Sequence, residues 1–196
     1  MSPFRTRTII LIPFILSCWA ASAAQNTAQH SAITIHVGKT GLFSGFSHEH
    51  TVVAPITSGK IDAKALAVQI TVLSKQLKVT DTDTSAKDLA EVQETMLGPK
   101  VLDSDKYPEI RFQSSRVERA GDGYRVSGTL SLHGTSRELT FNVTGTPDYY
   151  HGKTKFKQTD FGIHPVSVGG GTVKVKDELE LDFDVFPADL AAPASR

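Results

Sequence analysis

The sequence predicts an all-β, mainly antiparallel domain that carries one short amphipathic helix. Apolar and polar residues alternate with period two in run after run, which is the mark of half-buried strands. Turn signals such as Asp122-Gly123 and His133-Gly134-Thr135 separate neighbouring runs at hairpin distance. Only the stretch from Ala86 to Leu97 shifts to helical spacing. Strands joined by such tight turns pair antiparallel, because parallel pairs need long crossovers.

Taken in chain order, residues 1–24 read as an export signal. Arg5 and Arg7 provide a positive start, Ile9 to Leu16 an apolar run broken by Pro13, and Ala20 to Ala24 a small-residue stretch cleavable after Ala23 or Ala24. The apolar run is shorter than the roughly 20 residues a membrane-spanning helix needs. Cys18, the only cysteine, falls inside this segment, so a mature chain would have no thiol or disulfide. Lipoprotein attachment at Cys18 is the alternative, with Leu16 a poor residue for it.

The domain proper runs from residue 32 to 186. Ile33, Ile35 and Val37 form the first alternating series, and Val68, Ile70 and Val72 the next. Ile110 and Phe112, then Tyr124 to Leu132, then Leu139, Phe141 and Val143 follow; Val173 and Val175, and Leu179 to Val185, close the set. Each run puts its apolar members on one face of a pleated sheet. Ser85, with Asp88 three residues on, resembles a capping box; Leu89, Val92 and Met96 recur at helical spacing, and Gly98-Pro99 stops the helix. A helix this short is not stable alone in water, so its apolar stripe must lie on the sheet or cover an opening. The Ala/Pro-rich end, 187–196, reads as a frayed tail. From alternation alone, a hollow barrel and a sandwich filled by its own side chains both remain open.

Composition narrows the function. Lysine plus arginine equals aspartate plus glutamate, 21 each, which argues against a nucleic-acid partner. Gly41-Leu42-Phe43-Ser44-Gly45 is the wrong arrangement for a nucleophile elbow. Gly169-Gly170-Gly171 followed by Thr172-Val173-Lys174 is not a phosphate-binding loop. The acidic residues form no paired-carboxylate site. His48-Glu49-His50 is the one suggestive cluster: on an extended strand His48 and His50 share a face. A divalent metal there would need further ligands, with His36, His133, His151 and His164 as the choices. Against that stands a plain reading of both histidines as hydrogen-bonded rim residues.

Tyr107-Pro108-Glu109-Ile110-Arg111-Phe112-Gln113-Ser114 is similar to the Y-P-x-I-x-F-x-S stretch of the YceI-like family, and Gly128 to Arg137 resembles that family's G-x-L-x-L-x-G-x-[ST]-[KR] hairpin. Asp160-Phe161-Gly162-Ile163 and Val175 to Leu179 resemble its closing strands. The resemblance implies an extended lipocalin-like antiparallel β-barrel and an exported, periplasmic carrier. Its interior would hold a long apolar ligand such as a polyisoprenoid, an isoprenoid quinone or a similar amphiphile, with no chemical step and no cofactor. It leaves room for transient membrane contact and for homodimers, since related barrels often pair through exposed strands. Phe46-Ser47-His48-Glu49-His50 departs from the family as a histidine-rich variant of its opening hairpin. The ligand-wall candidates are Phe43, Phe46, Val72, Leu89, Met96, Phe112, Leu130, Phe141 and Phe161, and those for a polar mouth are His48, His50 and His164. The rival reading is an exported divalent-metal-binding protein centred on His48 and His50.

Overall fold

The structure, a computed structural model, describes residues 30–40, 49–62, 64–168 and 173–190. Residues 1–29, with Cys18 among them, and Phe43, Phe46 and His48 lie outside the described residues.

Alternation builds strands where expected: β1 (Ala32–Val37), β5 (Ala67–Leu73), β7 (Glu109–Ala120), β8 (Gly123–Leu132), β9 (Thr135–Thr146) and β13 (Glu178–Val185). Others join them: β3 (His50–Pro55), β4 (Ser58–Asp62), β6 (Lys78–Val79) and β10 (Tyr149–Lys157). These ten form one antiparallel sheet in the order β4-β5-β7-β8-β9-β10-β13-β1-β3-β6. Short strands β2 (Lys39–Thr40), β11 (Ser167–Val168) and β12 (Val173–Val175) make a separate three-stranded sheet.

The large sheet rolls into a barrel because two of its strands continue each other. Between β3 and β4, Ile56 donates its N–H to Ser31 O beside β1 at 3.0 Å, and Thr57 donates to Thr71 O on β5 at 2.9 Å. The chain path β3–β4 therefore has β1 along its first half and β5 along its second. Counting that path once, β1, β3–β4, β5, β7, β8, β9, β10 and β13 ring the core as eight staves, a size at which a barrel can hold one small ligand. This is the lipocalin-like architecture that the family resemblance implied.

Turn chemistry sets the registers. Ala120 pairs with Gly123, so the β7–β8 loop is Gly121-Asp122, one residue before the expected Asp122-Gly123. Gly121 has φ +58°, as the first position of a II′ turn requires. Between β8 and β9, His133 and Gly134 both have positive φ, 51° and 72°, the I′ geometry that fits the twist of a tight hairpin. In β7 the register shifts between Ser114 and Arg116. This bulge explains why the inward series Ile110, Phe112, Ser114 resumes at Val117; Ser114 Oγ accepts the Val68 N–H there at 2.8 Å.

Helix α1 spans Ala86–Leu97 with Ser85 as its N-cap, as the sequence indicated; Ser85 Oγ accepts the Asp88 N–H at 3.2 Å. The helix also covers an exposed sheet edge. Gln93 Oε1 accepts the Val79 N–H at 2.8 Å, while its Nε2 donates to Leu77 O at 2.8 Å, so one amide stands in for a neighbouring strand. At the other edge, Pro187–Leu190, expected to fray, form a short helix α2 beside β4. Asp189 Oδ2 there accepts the Ser31 N–H at 2.8 Å. Replacing Gln93 with leucine keeps helix propensity but leaves two backbone groups unpaired, at a cost of about 1–3 kcal/mol. Hydrogen exchange at the Val79 amide is expected to accelerate at least tenfold in Gln93→Leu, with β8 amides unchanged.

On the outer face, β13 carries acidic residues between basic partners on β10 and β1. Lys155 Nζ meets Glu180 Oε1 at 2.8 Å, and His36 Nε2 lies 3.2 Å from Asp182 Oδ2. Asp184 Oδ1 accepts the Tyr149 hydroxyl at 2.5 Å and lies 2.9 Å from His151 Nδ1. The Tyr149 hydroxyl, aided by His151, holds Asp184 below the ordinary carboxylate range, against partial burial that pushes it up. A carboxylate depressed on folding stabilises fully above its unfolded pKa, about 4, and that contribution is lost as pH falls through the lower folded value. Tyr149→Phe is expected to lower Tm slightly at pH 7, and the gap should narrow as pH falls below the ordinary carboxylate range. Thermal melts across that range check it.

Candidate functional site

The barrel interior is not filled. It holds a chamber of about 530 Å³ towards the α1 end and a second of about 150 Å³ towards the β7–β8 turn. Ile33, Leu130 and Leu181 line both, so the chambers meet at a waist made by β1, β8 and β13. The larger chamber is walled mainly by aliphatic side chains of the barrel, with Val92 and Met96 of α1 across it. The smaller one is ringed by aromatic groups: Phe141 packs against Phe112 at 5.3 Å and Phe183 at 5.2 Å, and Tyr124 meets Tyr150 at 6.2 Å.

Two glycines make room for those rings. A Cβ at Gly128 would lie 2.6 Å from Phe112 Cζ, and at Gly152 the ring of Phe183 occupies the place of a side chain. The tips of these rings thus occupy space over bare backbone that a side chain would otherwise take.

Polar groups gather at one margin of the larger chamber. His50 lines it, and His50 Nδ1 is 2.5 Å from Asp81 Oδ2; Asp81 Oδ1 accepts the Thr51 N–H at 2.7 Å. Lys39, Asp88 and Glu91 line the same chamber. Burial lowers the Lys39 pKa, and the nearby Asp81 and Asp83 partly offset that effect. The margin offers both hydrogen-bond donors and acceptors, and the rest of the wall is mainly aliphatic.

The proposed wall residues fall into three groups. Val72 and Met96 line the larger chamber, Phe112 and Phe141 the smaller, and Leu130 the waist. Leu89 packs on the margin of the core, and Phe161, 1% exposed, is a core residue against Phe156 at 5.1 Å; neither lines a chamber. Phe43 and Phe46 lie outside the described residues. Of the mouth candidates, His50 lines the chamber, His164 is exposed and does not, and His48 is outside the described residues.

The histidines offered as further metal ligands are dispersed. His36 and His151 bind carboxylates on the outer face of β13, and His133 packs on the Tyr107 ring at 4.6 Å. Among the described residues no group of three or more His, Cys, Asp or Glu could hold a metal ion. Sequence reasoning did not single out Lys39, Asp81 and Gln93, because their roles depend on partners distant in the chain. Ile33 and Leu181 did carry a signal, the alternation of β1 and β13, but nothing in it marks them as a waist.

A rolled antiparallel sheet with an oily interior and a helix across one end defines a lipocalin-like barrel protein. Within that class the chain belongs to the YceI-like family: the sequence profile of the YceI-like domain matches residues 20–186. It is 34% identical over 112 residues to a UPF0312 protein of Yersinia pestis (strain Pestoides F), which covers 56% of this chain and 53% of that one. A UPF0312 protein of Pseudomonas putida (strain W619) is 32% identical over 95 residues, or 43% of this chain and 46% of its own. The chain thus spans about half the length of the curated relatives it matches. Among solved structures, BcnA of Burkholderia cenocepacia is similar with a TM-score of 0.55 at 20% identity, covering 79% of this chain and 94% of that one. That likeness concerns the fold.

Proposed function

We propose that this protein is an exported carrier that holds a long apolar ligand, of polyisoprenoid, isoprenoid-quinone or similar amphiphile type, inside its barrel without a chemical step. The observation that carries the reading is the 530 Å³ chamber with its mainly aliphatic wall and polar margin. Each buried methylene contributes about 0.8 kcal/mol, so a tail of a few isoprene units gains roughly 10 kcal/mol before association and ordering costs. Charge is not needed for that affinity. Lys39 and His50 serve to place the head group, with Asp81 fixing the imidazole ring.

Export follows in the proposal from the Arg5/Arg7 start, the apolar run and the small residues that end at Ala24. Intact mass of the protein from the host's extracytoplasmic fraction tests this: removal of 23 or 24 residues is expected. Retention of the full segment contradicts it.

Displacement of an environment-sensitive apolar dye by geranylgeraniol tests the carrier reading. Stoichiometric displacement at micromolar concentrations or below is expected. His50→Ala should weaken binding by no more than about tenfold, since a single head-group contact contributes about 1 kcal/mol. If neither prenols nor quinone analogues displace the dye, the reading fails.

A further inference from the structure

We infer that the waist formed by Ile33, Leu130 and Leu181 makes the barrel select tail length, favouring a ligand of about four isoprene units. The inference rests on the carrier reading and adds to it a size class. Its basis is the division of the interior into two unequal spaces that share just these three aliphatic residues.

A dry apolar cavity of about 150 Å³ holds one benzene, that is, six carbons. In proportion, the chamber of about 530 Å³ accommodates about 20 carbons and the chamber of about 150 Å³ about six more. With the head group at the Lys39–His50 margin, the tail runs inward towards the waist. A tail of 15 carbons leaves part of the larger chamber empty, and one of 20 fills it. A longer tail must either part Ile33, Leu130 and Leu181, which come from three different strands, or push its head out past α1. Neither course buries further surface without loss. Interior packing is close to crystalline in density, so such a constriction yields in steps rather than smoothly.

The affinity profile follows. Each methylene taken into the chamber tightens binding about fourfold at most, so the step from 15 to 20 carbons should gain at least tenfold. The steps beyond 20 carbons should gain less than twofold per isoprene unit. Leu130→Ala removes one of the three side chains common to both chambers, and Leu181→Ala removes a second, at a position that is only partly buried.

The experiment is competition by geraniol, farnesol, geranylgeraniol and a nine-unit prenol for the same dye site, with the wild type and both variants. The expected result is a plateau at geranylgeraniol in the wild type and a shift of at least one isoprene unit to longer tails in the folded variants. Affinity that keeps climbing to the nine-unit prenol in the wild type would overturn the waist. So would a plateau that stays at 20 carbons in both opened variants. Either outcome leaves the carrier reading standing, whereas no competition by any prenol removes that reading itself.

Discussion

Substituting tryptophan for Ala54 is expected to weaken geranylgeraniol binding at least thirtyfold while the barrel still folds. Ala54 lies on β3, is 3% exposed and lines the larger chamber. Its side chain is the smallest in that wall, so an indole placed there takes up chamber volume that the tail would fill. Small-to-large changes cost stability when the core is full; here the core has a void to receive the ring. Several carbons of tail lose their place, each worth about a fourfold change in affinity. Trp19 is the only tryptophan of the sequence and lies in the proposed export signal, so the new indole would also be the sole tryptophan of a mature chain. Its emission should be that of a buried ring. Unchanged prenol affinity in a folded Ala54→Trp protein would mean that the ligand does not occupy this chamber.

Phe161→Ala should have the opposite signature, a large loss of stability with little effect on binding. Phe161 is 1% exposed, packs edge-on against Phe156, and its carbonyl oxygen lies 3.3 Å from His133 Nδ1. It lines neither chamber, so removing the ring makes a new hole in a packed region. A fully buried phenylalanine truncated to alanine costs about 3–5 kcal/mol. For a domain of this size that lowers Tm by about 10 °C. Thermal melts together with dye displacement separate the two roles. A Tm within 2 °C of wild type, on the scale of one kcal/mol or less, would place this ring outside the load of the core.

Much of the fold was legible because the strongest strands bury one face only. Alternation in β1, β5, β8, β9 and β13 identified them, and Ser85 and Gly98 bounded α1 correctly. Other strands were silent for identifiable reasons. In β10 the inward positions Tyr150, Gly152, Thr154 and Phe156 include a glycine and a threonine, because the ring of Phe183 occupies the space above Gly152. In β3–β4, Pro55 and Gly59 read as breakers, yet they mark the corner through which the sheet closes on itself. The expected Asp122-Gly123 turn lies one residue earlier because Gly121, not Gly123, takes the positive φ.

The candidate site was legible only in part. Val72, Met96, Phe112, Leu130 and Phe141 were named from inward alternation or helical spacing, and all five line a chamber. Helical spacing also named Leu89, and the resemblance at Asp160-Phe161-Gly162-Ile163 named Phe161; neither lines a chamber, since a wall residue and a core residue look alike in sequence. The pairing of His50 with Asp81 and of Gln93 with the edge of β6 joins residues far apart in the chain, which local pattern does not report. The hollow itself follows from how the rings of Phe112, Phe141 and Phe183 lie against one another and against bare backbone.

The central claim, a hydrocarbon guest within the rolled sheet, is tested most directly by native mass spectrometry of the protein purified gently from its own host. The expected spectrum shows one protein molecule carrying one added apolar compound, which organic solvent releases and the Ala54→Trp protein does not retain. A bare protein mass, in a preparation that also takes up no added geranylgeraniol, would contradict the account.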